Sequence, residues 1–180
     1  MTPLGHAGIS LLVGAGIIKV TPSLDPILVL TATTVGGVFL DLDLLYRFYH
    51  KGKDVFDKTI GQHRFFPTHT PLYVLIWFLI LWWTSLLLGS PKLLTWGAFF
   101  TIGAMLHLLL DTLFFPEGIN LAYPFSKKMV RFFTIKTHKF WAPKEISNVD
   151  NWHINYFKSP LFWASEVLPT LFALVLLSQI

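Results

Sequence analysis

The chain has 180 residues, 53% of them hydrophobic and 13% charged, with a net charge of +4 at neutral pH. With a mean hydropathy of +0.58, it is too apolar for a soluble domain of this length and reads as an integral membrane protein. Cysteine is absent, which excludes disulfides, thiolate ligands and cysteine nucleophiles and leaves nitrogen and oxygen as the donors for any metal.

A bilayer core is crossed by about 20 apolar residues in a helix. Five stretches meet that requirement, at roughly 4–20, 26–46, 71–89, 93–115 and 160–179. The expected fold is an all-α integral membrane bundle of about five transmembrane spans, forming a single domain over 1–180. The first span is short and glycine-rich (VGAGII) and opens with His6. A cleavable signal peptide is its rival, but no Lys or Arg precedes the apolar run and no A-x-A-like site follows it.

The second span carries the Gly36–Gly37 pair, which suits close helix packing, and ends in Asp41 and Asp43. Residues two apart on a regular helix point about 200° from each other, so both carboxylates face one site only if the helix breaks there. Asp41 is expected as a metal ligand and Asp43 as a second ligand or general base. The alternative for Asp43 is a solvated helix end.

Pro67 and Pro71 rule out a continuous helix through HRFFPTHTP, which places His63, Arg64 and His69 on a turn. Thr68 or Thr70 is positioned to cap the third span, whose first N–H groups favour an anion. Arg64 beside that end suits a phosphate or carboxylate group. The plainer alternative pairs Arg64 with Asp57 or with lipid headgroups.

The third span, PLYVLIWFLILWWTSLLLG, has no charge at all. In the fourth, His107 and Asp111 are four residues apart, on one helix face, where they can chelate one ion or simply hydrogen-bond to each other. At 1.5 Å per residue they lie about 12 Å and 6 Å from the end of that span. The hairpins 4–46 and 69–115 each enter with a His and exit with an Asp, a faint internal echo. Residues 124–158 are basic and aromatic, suited to an interfacial segment on anionic lipid or to ordinary charge bias. His50, His138 and His153 have no motif partners and read as surface residues. Glu166, in the last span, either snorkels to the interface or joins the site.

With five spans, the N-terminus, 47–70 and 116–159 share one side. Of the 14 Lys and Arg, only Lys19 and Lys92 fall on the other, 12 against 2. The positive-inside rule then puts the N-terminus in the cytoplasm and the C-terminus outside. His6, Asp41, Asp43, His63, Arg64, His69, His107 and Asp111 all fall at the cytoplasmic end. Ionisable groups are costly at membrane depth and usually mark a function. Imidazoles with carboxylates fit one or two divalent ions, Zn first, with Mn, Fe and Ni as alternatives.

GHAGIS, the DLD after a glycine-containing apolar run, HR followed by THT, and HLLLDTLFFPEGINLAYPFS occur in order from residue 5 to about residue 126. Together they resemble the YdjM-like family of membrane-bound metal-dependent hydrolases. In that family the third motif usually reads H-R-G-x-T-H-S. This chain has Phe65, Phe66 and Pro67 between Arg64 and Thr68, and Leu44 where a His usually follows the Asp-x-Asp. The residues point to hydrolysis by a metal-activated water, with His6, Asp41, His63, His69, His107 and Asp111 as ligands and Asp43 and Arg64 in catalysis, and the resemblance strengthens the metal site.

Membrane lipid is the expected partner and a candidate substrate, and no nucleic acid is expected. The competing reading is a metal or proton transporter using the same cluster as a transit site. It requires polar residues beyond the cluster, where few occur, Thr31, Thr33, Thr34, Thr84 and Ser85 among them.

Overall fold

A computed structural model of the chain describes residues 2–43, 49, 67–114, 118–126, 128–130, 158 and 160–179. Its architecture is an all-α membrane bundle. Helix α1 spans Pro3–Val20, α2 Pro26–Phe39, α3 Pro71–Leu88 and α4 Pro91–Phe114. A last helix, α5, is built in three parts: Pro160–Phe162, a π-helical stretch Trp163–Val167, and Leu168–Leu177.

Every one of these helices begins at a proline. Its fixed φ suits the first helical position, where the missing N–H would have had no partner. The preceding residues supply caps. Asp25 accepts from the amides of Ile27 (3.0 Å) and Leu28 (3.3 Å), and Thr70 accepts from Tyr73 (3.3 Å). Ser90 accepts from Leu93 (3.3 Å), and Gly89, with φ of 58°, ends α3 in the left-handed conformation that favours glycine.

Three helices, α1, α3 and Pro91–Leu113 of α4, are long and apolar enough to cross a membrane, while α2 and Trp163–Leu177 are apolar but shorter. Leu75, Leu79, Trp83, Leu86 and Leu87 of α3 are exposed, a face that lipid covers without cost.

In space, α3 packs on α4, α4 on α2, α2 on α1 and α1 on α5. Glycines set the closest approaches. A Cβ on Gly36 would collide with the Phe100 carbonyl of α4, and one on Gly103 with the Thr33 carbonyl of α2. Such contact between backbones is how membrane helices gain packing energy, since lipid supplies no hydrophobic drive between them.

At one end Thr2, preceding α1, bonds Glu166 of α5, and at the other the Lys19 ammonium donates to Gln179 (3.4 Å). Helices α1 and α5 are therefore parallel. The start of α1, the end of α2, the start of α3 and the end of α4 meet at the same end of the bundle. There Leu40, Val74, Ala104, Leu108 and Ile119 form a buried cluster. Ile119 belongs to the chain that folds back after α4, held by paired bonds with Val130 (3.0 and 2.7 Å).

Two helices depart from the sequence reading. The second ends at Phe39, not 46, because the Asp41 amide tightens onto the Val38 carbonyl (3.1 Å) in a turn. The last widens into a π turn because Pro169 cannot donate to Ser165 and its ring crowds that carbonyl. The Leu168 amide reaches back to Trp163 instead.

A candidate metal centre at the end of the bundle

Four segments deliver the site. His6 lies in the second turn of α1, and Asp41 and Asp43 follow the break in α2. His69 closes the 3₁₀ turn Pro67–His69, and His107 and Asp111 share a face of α4. His6, His69, His107 and Asp111 are completely buried and Asp41 is 5% exposed. The break after Phe39 is what lets both carboxylates of the Asp-x-Asp turn toward His69, as a regular helix could not.

His107 Nδ1 lies 2.7 Å from the Gly37 carbonyl. A carbonyl only accepts, so Nδ1 carries the hydrogen and Nε2 is the atom presented to the site. That nitrogen is 3.6 Å from Asp111 Oδ2 and 3.7 Å from Asp41 Oδ1, with no hydrogen bond of its own among the described residues. Nearby, His6 Nε2 is 3.2 Å from Asp111 Oδ1, and His69 Nε2 is 3.6 Å from Asp41 Oδ1. The His6 and His107 rings stack with centroids 3.7 Å apart, and the His69 ring stands edge-on to His107 at 5.3 Å.

Those spacings suit a cation better than direct hydrogen bonds. Nitrogen and oxygen donors about 2.1 Å from one ion, at a tetrahedral angle, stand about 3.4 Å apart, whereas a charged N–H···O bond closes to about 2.8 Å. The pairs here run from 3.2 to 3.7 Å. Two groups, His6–His107–Asp111 and Asp41–His69–His107, bring donor atoms within 4.8 Å of one another and share His107. The donation from Nδ1 to a backbone carbonyl is the support that metal-binding imidazoles usually have. These buried groups could hold a metal ion.

A model of the YdjM inner membrane protein family matches residues 1–178. The chain belongs to this family. The YdjM match extends beyond the motif-bearing residues 5–126 to take in α5 and Glu166. No curated protein and no solved structure matches the chain.

Of the predicted site residues, the fold brings together His6, Asp41, Asp43, His69, His107 and Asp111. His63 and Arg64 lie outside the described residues, as do His50, His138, His153 and most of 124–158. Glu166 neither snorkels nor joins either donor group. It is completely buried and accepts from the Thr2 amide (2.6 Å) and from the Thr2 hydroxyl, capping α1.

Sequence reading missed the Gly37 carbonyl behind His107. It also took Thr68 only as a possible helix cap, whereas its hydroxyl lies 3.2 Å from both Asp43 Oδ2 and His69 Nδ1. A Gly-Gly pair one turn before an acidic pair was the available signal for the first. Nothing local signals the second.

Proposed function

We propose that this YdjM-family protein is a membrane-embedded, metal-dependent hydrolase that cleaves an ester or phosphoester of a membrane-associated, lipidic substrate. The observation that carries this reading is the orientation of His107. Its hydrogen is committed to Gly37 and its Nε2 faces two buried carboxylates at the spacing of co-ligands. His6, Asp41, His69, His107 and Asp111 would hold a divalent ion, Zn first, with Mn, Fe or Ni as alternatives. Bound there with an open position, such an ion lowers the pKa of water towards neutrality and acts as a Lewis acid.

Arg64, three residues before Pro67 in the sequence, would stabilise negative charge developing on the substrate. The Lys and Arg distribution supports a cytoplasmic site at headgroup depth, with water arriving from the cytoplasm and lipid from the side. Four of the five hydroxyls named above are closed off by local bonds, and only that of Thr34 is buried without a bond among the described residues. Thr33 bonds Val29 O, Thr31 bonds Ile27 O, Thr84 bonds Ile80 O and Ser85 bonds Ser90 O. This favours the enzyme over a transporter.

Elemental analysis of purified protein beside a metal-stripped control tests the reading first. His107→Ala or Asp111→Ala should lower bound metal by at least about tenfold, and His138→Ala should not. Full retention in both site variants would remove the metal, and the hydrolase with it. Release of acyl or phosphoryl products from phospholipid vesicles by the loaded protein, absent after stripping, tests the activity.

A further inference from the structure

Asp43 joins neither donor group among the described residues, although its carboxylate lies 3.6 Å from His69 Nδ1. That nitrogen is on the opposite side of the ring from Nε2, the atom that faces Asp41. Thr68 stands between the two groups. Its hydroxyl oxygen is 3.2 Å from Asp43 Oδ2 and 3.2 Å from His69 Nδ1. A hydroxyl has one hydrogen, and an ionised carboxylate can only accept it. Once that hydrogen goes to Asp43, the hydroxyl oxygen can only accept from His69 Nδ1–H.

The His69 tautomer is thereby set: Nδ1 carries the hydrogen, and Nε2 keeps its lone pair for the site. His107 reaches the same state through Gly37. Two imidazoles on different segments are thus each held from behind, one by a backbone carbonyl and one by a hydroxyl and a carboxylate.

We infer that Asp43 and Thr68 are positioning residues, a hydroxyl-bridged carboxylate that orients His69 for metal binding, and that Asp43 is neither a ligand nor the general base. The inference rests on the proposed metal site. It gives the Asp-x-Asp two separate tasks, with Asp41 facing the ion and Asp43 standing behind an imidazole. The turn carries the arrangement because Thr68 and His69 are adjacent there, so one short segment holds both the ring and its support.

Cobalt(II) titration of the full-length protein in detergent tests this, with affinity, stoichiometry and the visible absorption of the bound ion as readouts. Thr68→Val and Asp43→Ala should each weaken cobalt binding by about ten- to a hundredfold. At saturation both should hold as much cobalt as the unaltered protein, with a shifted absorption band as the His69 ring reorients. Thr68→Ser, which keeps the hydroxyl, should restore affinity and spectrum. Glu166→Ala, which removes the acceptor of the Thr2 amide outside either donor group, should change neither.

If Asp43→Ala lost saturable binding as His107→Ala does, Asp43 would be a ligand and the inference would fall. It would also fall if Thr68→Val bound like the unaltered protein, or if Thr68→Ser behaved like Thr68→Val. Unaltered protein that takes up no cobalt would overturn the metal reading itself, and the inference with it.

Discussion

The His107 imidazole donates to the Gly37 carbonyl across 2.7 Å, joining α4 to α2 where α2 presents bare backbone. A Cβ on Gly37 would collide with the Ser10 side chain of α1, and it would stand 3.1 Å from the His6 carbonyl. One missing side chain thus lets α1, which carries His6, pack on α2 at the residue whose carbonyl receives His107.

Gly37→Ala should therefore lower the thermal midpoint and weaken metal binding by about tenfold or more, the scale for losing an outer support. Gly16 provides the contrast, since its Cβ position has nothing within 4 Å. Gly16→Ala should be neutral or stabilising by up to about 1 kcal/mol, because alanine suits a helix interior better. Equal melting and equal metal content in the two variants would contradict this account of Gly37.

Glu166 acts on a different part of the bundle. Its carboxylate receives the Thr2 amide at the N-terminus of α1, where a negative charge is favourable. Glu166→Ala leaves that half-buried donor without its acceptor, at a cost of about 1 kcal/mol. The expected result is a lower midpoint of thermal unfolding with metal content unchanged. A parallel loss of metal would show that Glu166 belongs to the site after all.

The contrast between Gly37 and Glu166 shows what could be read from the residues in order. Helix existence was legible, because long apolar runs leave few alternatives. The prolines at 3, 26, 71, 91 and 160 fix every start to within two residues of the sequence reading. A break near Asp41 and Asp43 was legible only as a condition for both to face one site, and its position after Phe39 was not, since no proline or glycine stands at 40–43. The helix stops there with Asp41 and Asp43 both turned to His69, a tertiary arrangement that local propensity does not encode. Glu166 was ambiguous because its partner, Thr2, lies 164 residues away. His69 was found from its histidine-rich turn, but the role of Thr68 depends on distances that no spacing rule supplies.

Topology is testable because the chain has no cysteine. Lys53→Cys, Lys92→Cys and Lys136→Cys each create one thiol for a membrane-impermeant maleimide. Positions 53 and 136 should label from the cytoplasmic side and position 92 from the other. The parallel course of α1 and α5 agrees with an odd number of crossings. If position 92 labelled on the same side as either of the others, the cytoplasmic assignment of the site would fail.

Arg64 separates a ligand from a group that acts on the substrate. A guanidinium stays protonated and cannot bind a cation, so Arg64→Ala should leave metal content unchanged. Its proposed place near the start of α3 would let it offset negative charge on a phosphoester or acyl oxygen as the bond breaks. Loss of one such preorganised donor costs about a hundredfold or more in turnover. Arg64→Lys should recover only part of that, because an ammonium keeps the charge but lacks the planar two-pronged donor. The comparison needs holo protein, a lipid ester or phosphoester that it turns over, and metal content measured on the same samples. Unchanged turnover in Arg64→Ala would assign Arg64 to lipid headgroups and remove the reason for preferring an anionic substrate.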